Sequence, residues 1–356
     1  MEFPEEITKE KLSIGCGKKY FNLLLIFVSL LFSLILFEFY LRIIKYPYQG
    51  CEEVQLASES WLGEFNKATG WSYKKSFSYY EDNGKFEYHF DKNGIRVESE
   101  NYEINHDKKI IAFIGDSVTF GEELSFKDTF PAKIGELLGE EFEIVNLGVQ
   151  GFGTSQSMIH LKNLISEIRP DFVVYTFIPD HINRDINYDR RIHVKCLDFN
   201  GTKPVFRIVD GQLKQIRKPK LYKTVDRFKL ALFLDDIYQI SKEREQIESG
   251  DAEKITKEII NQISELVRNN GAQDYYIYYD NVYDTSIYSY NDYLVKYIFD
   301  GDKEDKVFNF TNWAIDSQTK GKKYYVNDED DYHPNASLSA EIAKGFFNKF
   351  KDHFLD

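Results

Sequence analysis

The fold is indicated by the stretch Ile110-Ile-Ala-Phe-Ile-Gly115-Asp116-Ser117-Val-Thr-Phe-Gly121. Its apolar run stops abruptly at Gly115, which is typical of a buried strand that ends in a tight loop. Ser117 is thereby placed at the carboxyl end of a strand, the edge at which open α/β sheets bind ligands, so its hydroxyl is a candidate nucleophile. Taken alone, Gly-Asp-Ser is also ordinary turn chemistry.

Beyond this strand, predicted strands and helices alternate along the chain. Compact apolar runs predict five strands, at 110–114, 143–147, 172–177, 274–279 and 307–310. The remaining pattern predicts four helices, at 129–138, 155–167, 252–269 and 336–354. This alternation is typical of βαβ units, so we expect an α/β fold: a three-layer, doubly wound sandwich with a mostly parallel five-stranded sheet.

Two segments depart from this alternation. Residues 42–107 carry short runs and one hairpin signal, and we interpret them as a lead-in that packs on the main domain, residues 108–356. Residues 183–250 hold a second hairpin, turning at Asp210-Gly211, and then a helical stretch rich in charge. We interpret them as an insertion near the active edge, where loops tune specificity.

Composition excludes several functions. The chain has 356 residues and 42% hydrophobic content, enough for a sizeable core, and a formal net charge of −13. Phosphate binding needs clustered basic residues, so we expect no nucleic-acid partner. The three cysteines, Cys16, Cys51 and Cys196, lack metal-ligand spacing. The sequence therefore predicts no metal site and no cofactor.

A membrane anchor is predicted at residues 20–41. The apolar run from Leu23 to Phe37, with its flanking residues, reaches the ~20 residues that a transmembrane helix needs. A cleaved signal peptide is the alternative, but the run is longer than a normal h-region and no small-x-small cleavage site follows it. One membrane-spanning helix is therefore the preferred interpretation.

The flanking charges predict how the anchor is oriented. Four lysines lie within residues 1–19, whereas only Arg42 and Lys45 follow the span closely. The positive-inside bias puts residues 1–19 in the cytoplasm and the main domain outside it. Cys51 and Cys196 would then lie where a disulfide is allowed. Nothing local supports their pairing, so the sequence alone favours two free buried thiols over a bridge.

Glycines cluster after the second predicted strand, at Gly148, Gly151 and Gly153. Glycine lets the backbone approach a ligand closely, and amides at such a place can point at a developing oxyanion. The order of these glycines does not match the Gly-x-Gly-x-x-Gly of dinucleotide loops, and no acidic ribose partner stands at the expected place. We therefore predict no dinucleotide site.

A candidate catalytic base lies directly before the last predicted helix. The spacing Asp330-x-x-His333 lets a carboxylate orient an imidazole, so that His333 can act as general base to a serine from elsewhere in the chain. An acidic stretch with a histidine before a helix is also a common form of solvated cap.

In combination, the motifs resemble the conserved blocks of the SGNH hydrolases, also called GDSL-type esterases. The resemblance rests on Gly115-Asp116-Ser117, Asn146-Leu-Gly148 and Asp330-x-x-His333, in that order, and covers residues 108–354. The upstream stretch Asn93-Gly94-Ile-Arg96 looks like the lead-in of membrane-anchored members.

The resemblance implies a role for each matching residue. Ser117 would be the nucleophile, His333 its base and Asp330 the carboxylate that orients the base. The amides of Ser117 and Gly148 would form part of the oxyanion hole.

The chain departs from the family pattern after the third strand. The family has Gly-x-Asn-Asp there, whereas this chain has Ile178-Pro179-Asp180-His181-Ile182-Asn183. Pro179 stands where the asparagine is expected and offers no side-chain donor; loss of one oxyanion donor costs roughly 10²–10³ in rate. Either His181 or Asn183 replaces that donor, or both form hydrogen bonds only within the loop.

The resemblance implies an enzyme of acyl esters. We expect a membrane-anchored serine esterase or O-acyltransferase that acts outside the cytoplasm, through an acyl-serine, on an acylated cell-surface glycan or a small ester. Anchored relatives that assist membrane-bound acyltransferases imply a partner of that kind. The alternative is a catalytically weakened domain that serves as a glycan-binding or assembly component of an envelope acylation complex.

Overall fold

The computed structural model describes residues 6–51, 55–56, 62–81, 84–194, 196–280, 288–317, 325–326 and 333–355. In chain order, its strands are β1 (Gln55–Leu56), β2 (Gly63–Asn66), β3 (Gly70–Tyr73), β4 (Phe77–Tyr80), β5 (Glu87–Phe90), β6 (Arg96–Val97), β7 (Lys109–Gly115), β8 (Phe142–Gly148), β9 (Phe172–Phe177), β10 (Leu197–Asp198), β11 (Val205–Val209), β12 (Gln212–Arg217), β13 (Gln273–Tyr278) and β14 (Val307–Asn309).

Its helices are α1 (Glu6–Ile43), α2 (Ser117–Phe120), α3 (Phe130–Leu138), α4 (Thr154–Ile168), α5 (Asp180–Ile186), α6 (Tyr222–Val225), α7 (Lys229–Glu248), α8 (Asp251–Asn269), α9 (Tyr288–Ile298), α10 (Phe310–Asp316) and α11 (Ala336–Leu355). The predicted strands and helices match observed ones within one or two residues at each end.

Five parallel strands form the centre of the main sheet, in the order β14–β13–β9–β7–β8. Numbered along the chain, this is the 2-1-3-4-5 order of flavodoxin-like folds. The predicted doubly wound α/β sandwich is therefore confirmed. The strand order reverses between β7 and β9, and the crevice at their carboxyl ends is where such a sheet binds ligands.

Helices cover both faces of this sheet, which explains the unbroken apolar run of β7. Alternate β7 residues contribute to two separate cores: Ile110, Ala112 and Ile114 to one, Ile111 and Phe113 to the other. The first core includes residues of α4 and α8, and the second includes residues of α3 and α11. A strand buried on both faces loses the apolar-polar alternation of a half-exposed strand.

The sheet is wider than the five strands expected from the sequence. Three antiparallel strands, β6, β5 and β4, continue it beyond β8 to a total of eight. The link is the pairing of Arg96 in β6 with Asn146 in β8. Residues 42–107 thus contribute strands to the main sheet as well as packing on it. These strands are two to four residues long, too short for a clear period.

The N-terminal helix α1 contains a segment, Lys19–Ile43, that is long and apolar enough to cross a membrane. Its last turns pack against α7, where the rings of Phe37 and Phe233 meet edge to face at 5.3 Å. Glu38 accepts hydrogen bonds from the backbone amides of Lys229 and Leu230, at 3.2 and 2.6 Å. The start of α7 is therefore attached to the end of α1.

The expectation of two free thiols was wrong, because Cys51 and Cys196 form a disulfide. Their Cα atoms lie 5.5 Å apart although 145 residues separate them in the chain. Beside the bridge, β1 pairs with β10 in parallel. The cause of the contact is tertiary and leaves no local signal. The predicted hairpin of the insertion is present, formed by β11 and β12.

Candidate active site

Ser117 is the first residue of the one-turn helix α2, which begins where β7 ends. The carboxylate of Asp116 caps this helix by accepting the Val118 amide at 3.0 Å. Gly121, at φ +81°, ends it in the left-handed conformation, and its amide donates to the Ser117 carbonyl at 2.9 Å. The sharp turns at both ends place Ser117 at the carboxyl edge of the sheet, beside the point where strand order reverses.

His333 is brought to Ser117 from the far end of the chain. Its Nε2 lies 2.8 Å from the Ser117 Oγ, although 216 residues separate the two. The backbone of His333 accepts the amide of Val326 at 3.1 Å, and Asn335 caps α11 through the Leu338 amide at 3.1 Å. This is the contact a general base needs to take a proton from a serine hydroxyl.

Asp330, the predicted orienting carboxylate, lies outside the described residues. Its role in holding the imidazole of His333 therefore stays a prediction.

Asn146 and Gly148 of β8 contact residues 116–121, which we call the nucleophile turn. The buried Asn146 side chain donates from Nδ2 to the Thr119 carbonyl at 2.8 Å and accepts the Gly148 amide at 2.9 Å. A Cβ at Gly148 would lie 2.3 Å from the Phe120 nitrogen, so glycine is required for this approach. Because the Gly148 amide donates to Asn146, its role in the oxyanion hole stays a prediction.

Gly151 lies in a turn of the loop that follows β8. It stands third in a turn closed by the Phe152 amide on the Val149 carbonyl at 3.2 Å, and its φ of +74° is the one that such a turn reserves for glycine. The Gly151 amide donates to none of the described residues.

Trp71, from the lead-in strand β3, fixes the orientation of that peptide. Its indole Nε1 donates to the Gln150 carbonyl at 2.9 Å. A trans peptide is planar, with its carbonyl and amide pointing in opposite directions, so the Gly151 amide points away from Trp71.

A second residue of the lead-in, Arg96, holds the other end of α2. Its fully buried guanidinium donates to the carbonyls of Phe120, Gly121 and Leu124 and lies over the ring of Phe120, 4.4 Å from its centroid. The Phe120 carbonyl is one that the end of α2 leaves without a partner inside the helix. In the sequence, Arg96 stands out only as part of a family resemblance, and its bonds to α2 were not predicted.

Asp116 is the centre of a buried charge network. Its Oδ2 accepts the Arg184 Nη1 at 2.8 Å and lies 3.3 Å from the His181 Nε2, where hydrogen-bond geometry is not met. Burial opposes ionisation, but His181 and Arg184 together hold the pKa of the Asp116 carboxyl well below its usual range. Arg184 also donates to the Phe152 carbonyl at 2.9 Å. It thereby joins the nucleophile turn to residues 149–153, the Gly151 loop.

The loop after β9 places its two candidate side-chain donors, His181 and Asn183, differently. Pro179 occupies the position before α5, where a proline ring is compatible with a helix start. His181 is fully buried, and its Nδ1 lies 2.7 Å from the Tyr175 hydroxyl. Its side chain therefore packs beside Asp116 in the interior and does not face a substrate. Asn183 is exposed on α5, and its role in the oxyanion hole stays a prediction.

Further cations lie behind this loop. Asp180 binds Arg184 at 2.6 Å and lies 3.8 Å from Arg190. Lys203 donates to the Arg184 carbonyl, and its burial, with the nearby Arg190, lowers the pKa of its ammonium to about 7. The cations behind this loop therefore lie among carboxylates, those of Asp116 and Asp180.

No family model matches this chain, and no curated protein matches it. Among solved structures, it is similar to a member of the lipolytic protein G-D-S-L family from Veillonella parvula, at 13% identity and a TM-score of 0.38, over 68% of this chain and 97% of the other. It is also similar to a psychrotrophic esterase from Pseudoalteromonas sp., at 12% and 0.39, over 70% and 100%. A family 3 carbohydrate esterase from Clostridium thermocellum gives 12% and 0.39, over 70% and 98%.

Proposed function

We propose that this chain is a membrane-anchored serine esterase or O-acyltransferase of the SGNH type that acts through an acyl-serine intermediate. The observation that carries the proposal is the 2.8 Å separation of the His333 Nε2 and the Ser117 Oγ. The two side chains meet at the carboxyl edge of a parallel sheet, beside its switch point, where open α/β sheets hold their ligands.

The reaction follows from the chemistry of this pair. The Ser117 Oγ attacks the ester carbonyl while His333 takes the hydroxyl proton at Nε2, and His333 then returns that proton to the departing alcohol. The acyl group remains on Ser117 until water or a sugar hydroxyl attacks it, with His333 again taking the proton. Water as acceptor gives hydrolysis, and a sugar hydroxyl gives acyl transfer.

Backbone amides would hold the oxyanion in both steps. Ser117 is the first residue of α2, and the first amides of a helix have no partner within it. We assign the second donor to Gly151 in place of Gly148, since the Gly151 amide donates to none of the described residues and Trp71 fixes its direction. Two amides preorganised in this way act without reorganisation during the reaction.

Two features support an anchored domain outside the cytoplasm. If α1 were removed as a signal peptide, the contacts of Phe37 and Glu38 with α7 would be lost. The disulfide between Cys51 and Cys196 suits an oxidising compartment, in agreement with the orientation predicted from the flanking lysines. An extracytoplasmic site would face acylated cell-surface glycans, and a membrane-bound acyltransferase could supply the acyl group.

One observation favours a second candidate, a glycan-binding or assembly component with little activity. Pro179 and the inward-facing His181 leave the loop after β9 without a demonstrated side-chain donor to the oxyanion. The contact between Ser117 and His333 argues for the enzyme, because a domain that only binds has no need of it.

Labelling with a fluorophosphonate tests whether the protein is a serine enzyme. The full chain in detergent should take up the probe and cleave a short acyl ester, and Ser117→Ala and His333→Ala should lose both activities. Ser249→Ala, at an exposed serine, is the matched control and should behave as the wild type. A folded wild type that neither takes up label nor cleaves ester would contradict the proposal and favour the binding role.

The acceptor and the topology are separate questions with separate measurements. Adding oligosaccharides to the esterase reaction should divert acyl groups to sugar hydroxyls if the protein is a transferase. Reporters fused to each terminus should place the N-terminus inside and the C-terminus outside the cytoplasm.

A further inference from the structure

Helix α7 of the insertion has its polarity inverted relative to a surface helix in water. Its buried face consists of Leu232 and three polar residues, Asp236, Gln239 and Glu243. From Phe228 to Ile240, its exposed surface carries the large apolar side chains of Phe228, Leu234, Ile237, Tyr238 and Ile240, each between 42 and 60% exposed. The last turns also expose Arg244, Glu245 and Glu248. A helix in water shows the reverse pattern.

Two of the three inner polar groups, Asp236 and Glu243, bond to residues outside α7, so the helix is fixed in this orientation. Asp236 accepts the Tyr46 hydroxyl at 2.5 Å, and Glu243 accepts Asn187 at 3.2 Å and pairs with His193 at 2.8 Å. Turning α7 to bury its apolar face would break these bonds. The exposed apolar face is therefore a permanent feature of the surface, of the kind that marks an interaction site.

The position of α7 indicates what covers this face. Its first residues are bonded to Glu38, directly after the apolar run of α1, and Arg42 of α1 donates to the Arg227 carbonyl at 2.8 Å. In the same turns of α1, Phe39 and Tyr40 are exposed, as aromatic residues at a membrane interface commonly are. If α1 spans a bilayer, the start of α7 lies at the bilayer surface.

Charge supplies an independent indication. Residues 214–229, which lead into α7, contain seven basic residues and a single acidic one, although the chain as a whole carries −13. Lys218, Lys220, Lys223 and Arg227 of this segment are exposed. An apolar helix face beside exposed basic residues is the pattern of helices that lie in the interface of a membrane with anionic lipids.

We propose that α7 and the basic segment 214–229 form a second membrane contact, which lies on the anionic headgroups of the bilayer that α1 spans. The apolar face of α7 enters the boundary between headgroups and acyl chains, about 5–10 Å deep. The domain is then held at two points, so it keeps one orientation to the membrane and does not swing about the end of α1. This inference rests on membrane insertion of α1 and is independent of the chemistry at Ser117.

Lipid quenching of a fluorophore tests this contact. The full chain, with Cys16→Ser to remove the remaining thiol, carries either Leu234→Cys on the outer face of α7 or Leu137→Cys on α3. Leu137 is the matched control because its side chain is 46% exposed. It lies on α3, whose buried residues belong to the core shared with α11. Each thiol is labelled with an environment-sensitive dye, and the protein is placed in vesicles of phosphatidylglycerol and phosphatidylcholine with a spin-labelled lipid.

Quenching at Leu234 should exceed that at Leu137 at least about threefold, as expected for a side chain at the depth of an interfacial helix. Lys218→Glu with Lys220→Glu, or vesicles of phosphatidylcholine alone, should reduce it. Equal quenching at both positions in vesicles where α1 is inserted would overturn the proposal and point to a protein partner on α7. Thermal unfolding at the temperature of the unsubstituted protein would show that the variants are folded.

Discussion

The two sides of the candidate site are held by different kinds of interaction. On the nucleophile side, buried side chains from three separate parts of the chain fix the turn at Ser117: Arg96, Asn146 and Arg184 each bond to its backbone or to Asp116. On the opposite side, the loop after β9 begins a helix at Pro179 and turns His181 inward. The nucleophile is placed by side chains, whereas the oxyanion would depend on backbone amides.

This difference predicts where the site tolerates change. A turn held by buried charges and amides should be costly to disturb, because each lost partner leaves another buried group unpaired. A side that uses backbone amides should respond to substitutions that reorient a peptide, and only weakly to exposed side chains.

The largest effect is expected from Arg184→Met, which keeps much of the apolar stem and removes the charge. Asp116 would remain buried and ionised with only His181 beside it, and breaking a buried pair in this way costs about 3–5 kcal/mol. We expect the free energy of unfolding of the full chain in detergent to fall by this amount, with loss of fluorophosphonate labelling.

The matched control is Arg217→Met. Arg217 pairs with Asp235 through two hydrogen bonds of 2.7 and 2.8 Å, but both side chains are about one-third exposed. Exposed pairs contribute about 0–1 kcal/mol, so this variant should unfold nearly as the wild type does. Equal losses from the two variants would show that burial of the Asp116 network does not set its contribution.

A smaller effect on rate is expected from Trp71→Phe. The phenyl ring keeps the stacking on Phe199, at 4.6 Å, but the hydrogen bond to the Gln150 carbonyl is lost. A neutral hydrogen bond contributes about 0.5–1.5 kcal/mol, so a less firmly oriented Gly151 amide should lower kcat up to roughly tenfold. Since the oxyanion develops only in the transition state, KM should be unchanged.

Trp313→Phe provides the comparison, because the Trp313 indole nitrogen is buried and donates to none of the described residues. Its removal should leave kcat as it is. If both tryptophan variants lost rate equally, or if Trp71→Phe raised KM alone, Gly151 would not be the oxyanion donor.

The parts of the molecule that could be predicted from sequence are those with a local cause. The strand β7, the turn after it and the helices around the sheet follow from runs and periods within a few residues. The meeting of Ser117 and His333 was expected from motif order and from the topology that brings strand ends to one edge.

The missed parts are contacts between residues distant in the chain. Three contacts depend on tertiary placement, and no spacing in the sequence predicts them. They are the bond between Arg184 and Asp116, the hydrogen bond from Trp71 to the Gln150 carbonyl, and the disulfide. A glycine after a strand can free an amide or allow two backbones to touch, and at Gly148 the structure shows the close backbone approach. Helix α7 was recognised only as charged, since its inverted faces have meaning only once its buried side is known.

The smallest effect is expected from Pro179→Asn, which restores the residue of the family pattern. Pro179 has helical backbone angles that asparagine also accepts, so the substitution is compatible with the start of α5. A fully preorganised donor contributes roughly 10²–10³ in rate, but nothing in the described residues fixes the new side chain, so we expect a gain in kcat of only about two- to fivefold. Pro179→Ala removes the ring without adding a donor and should leave kcat unchanged. If asparagine gave no more than alanine, the amides of Ser117 and Gly151 would already satisfy the oxyanion, and Pro179 would mark a site that works without the third donor.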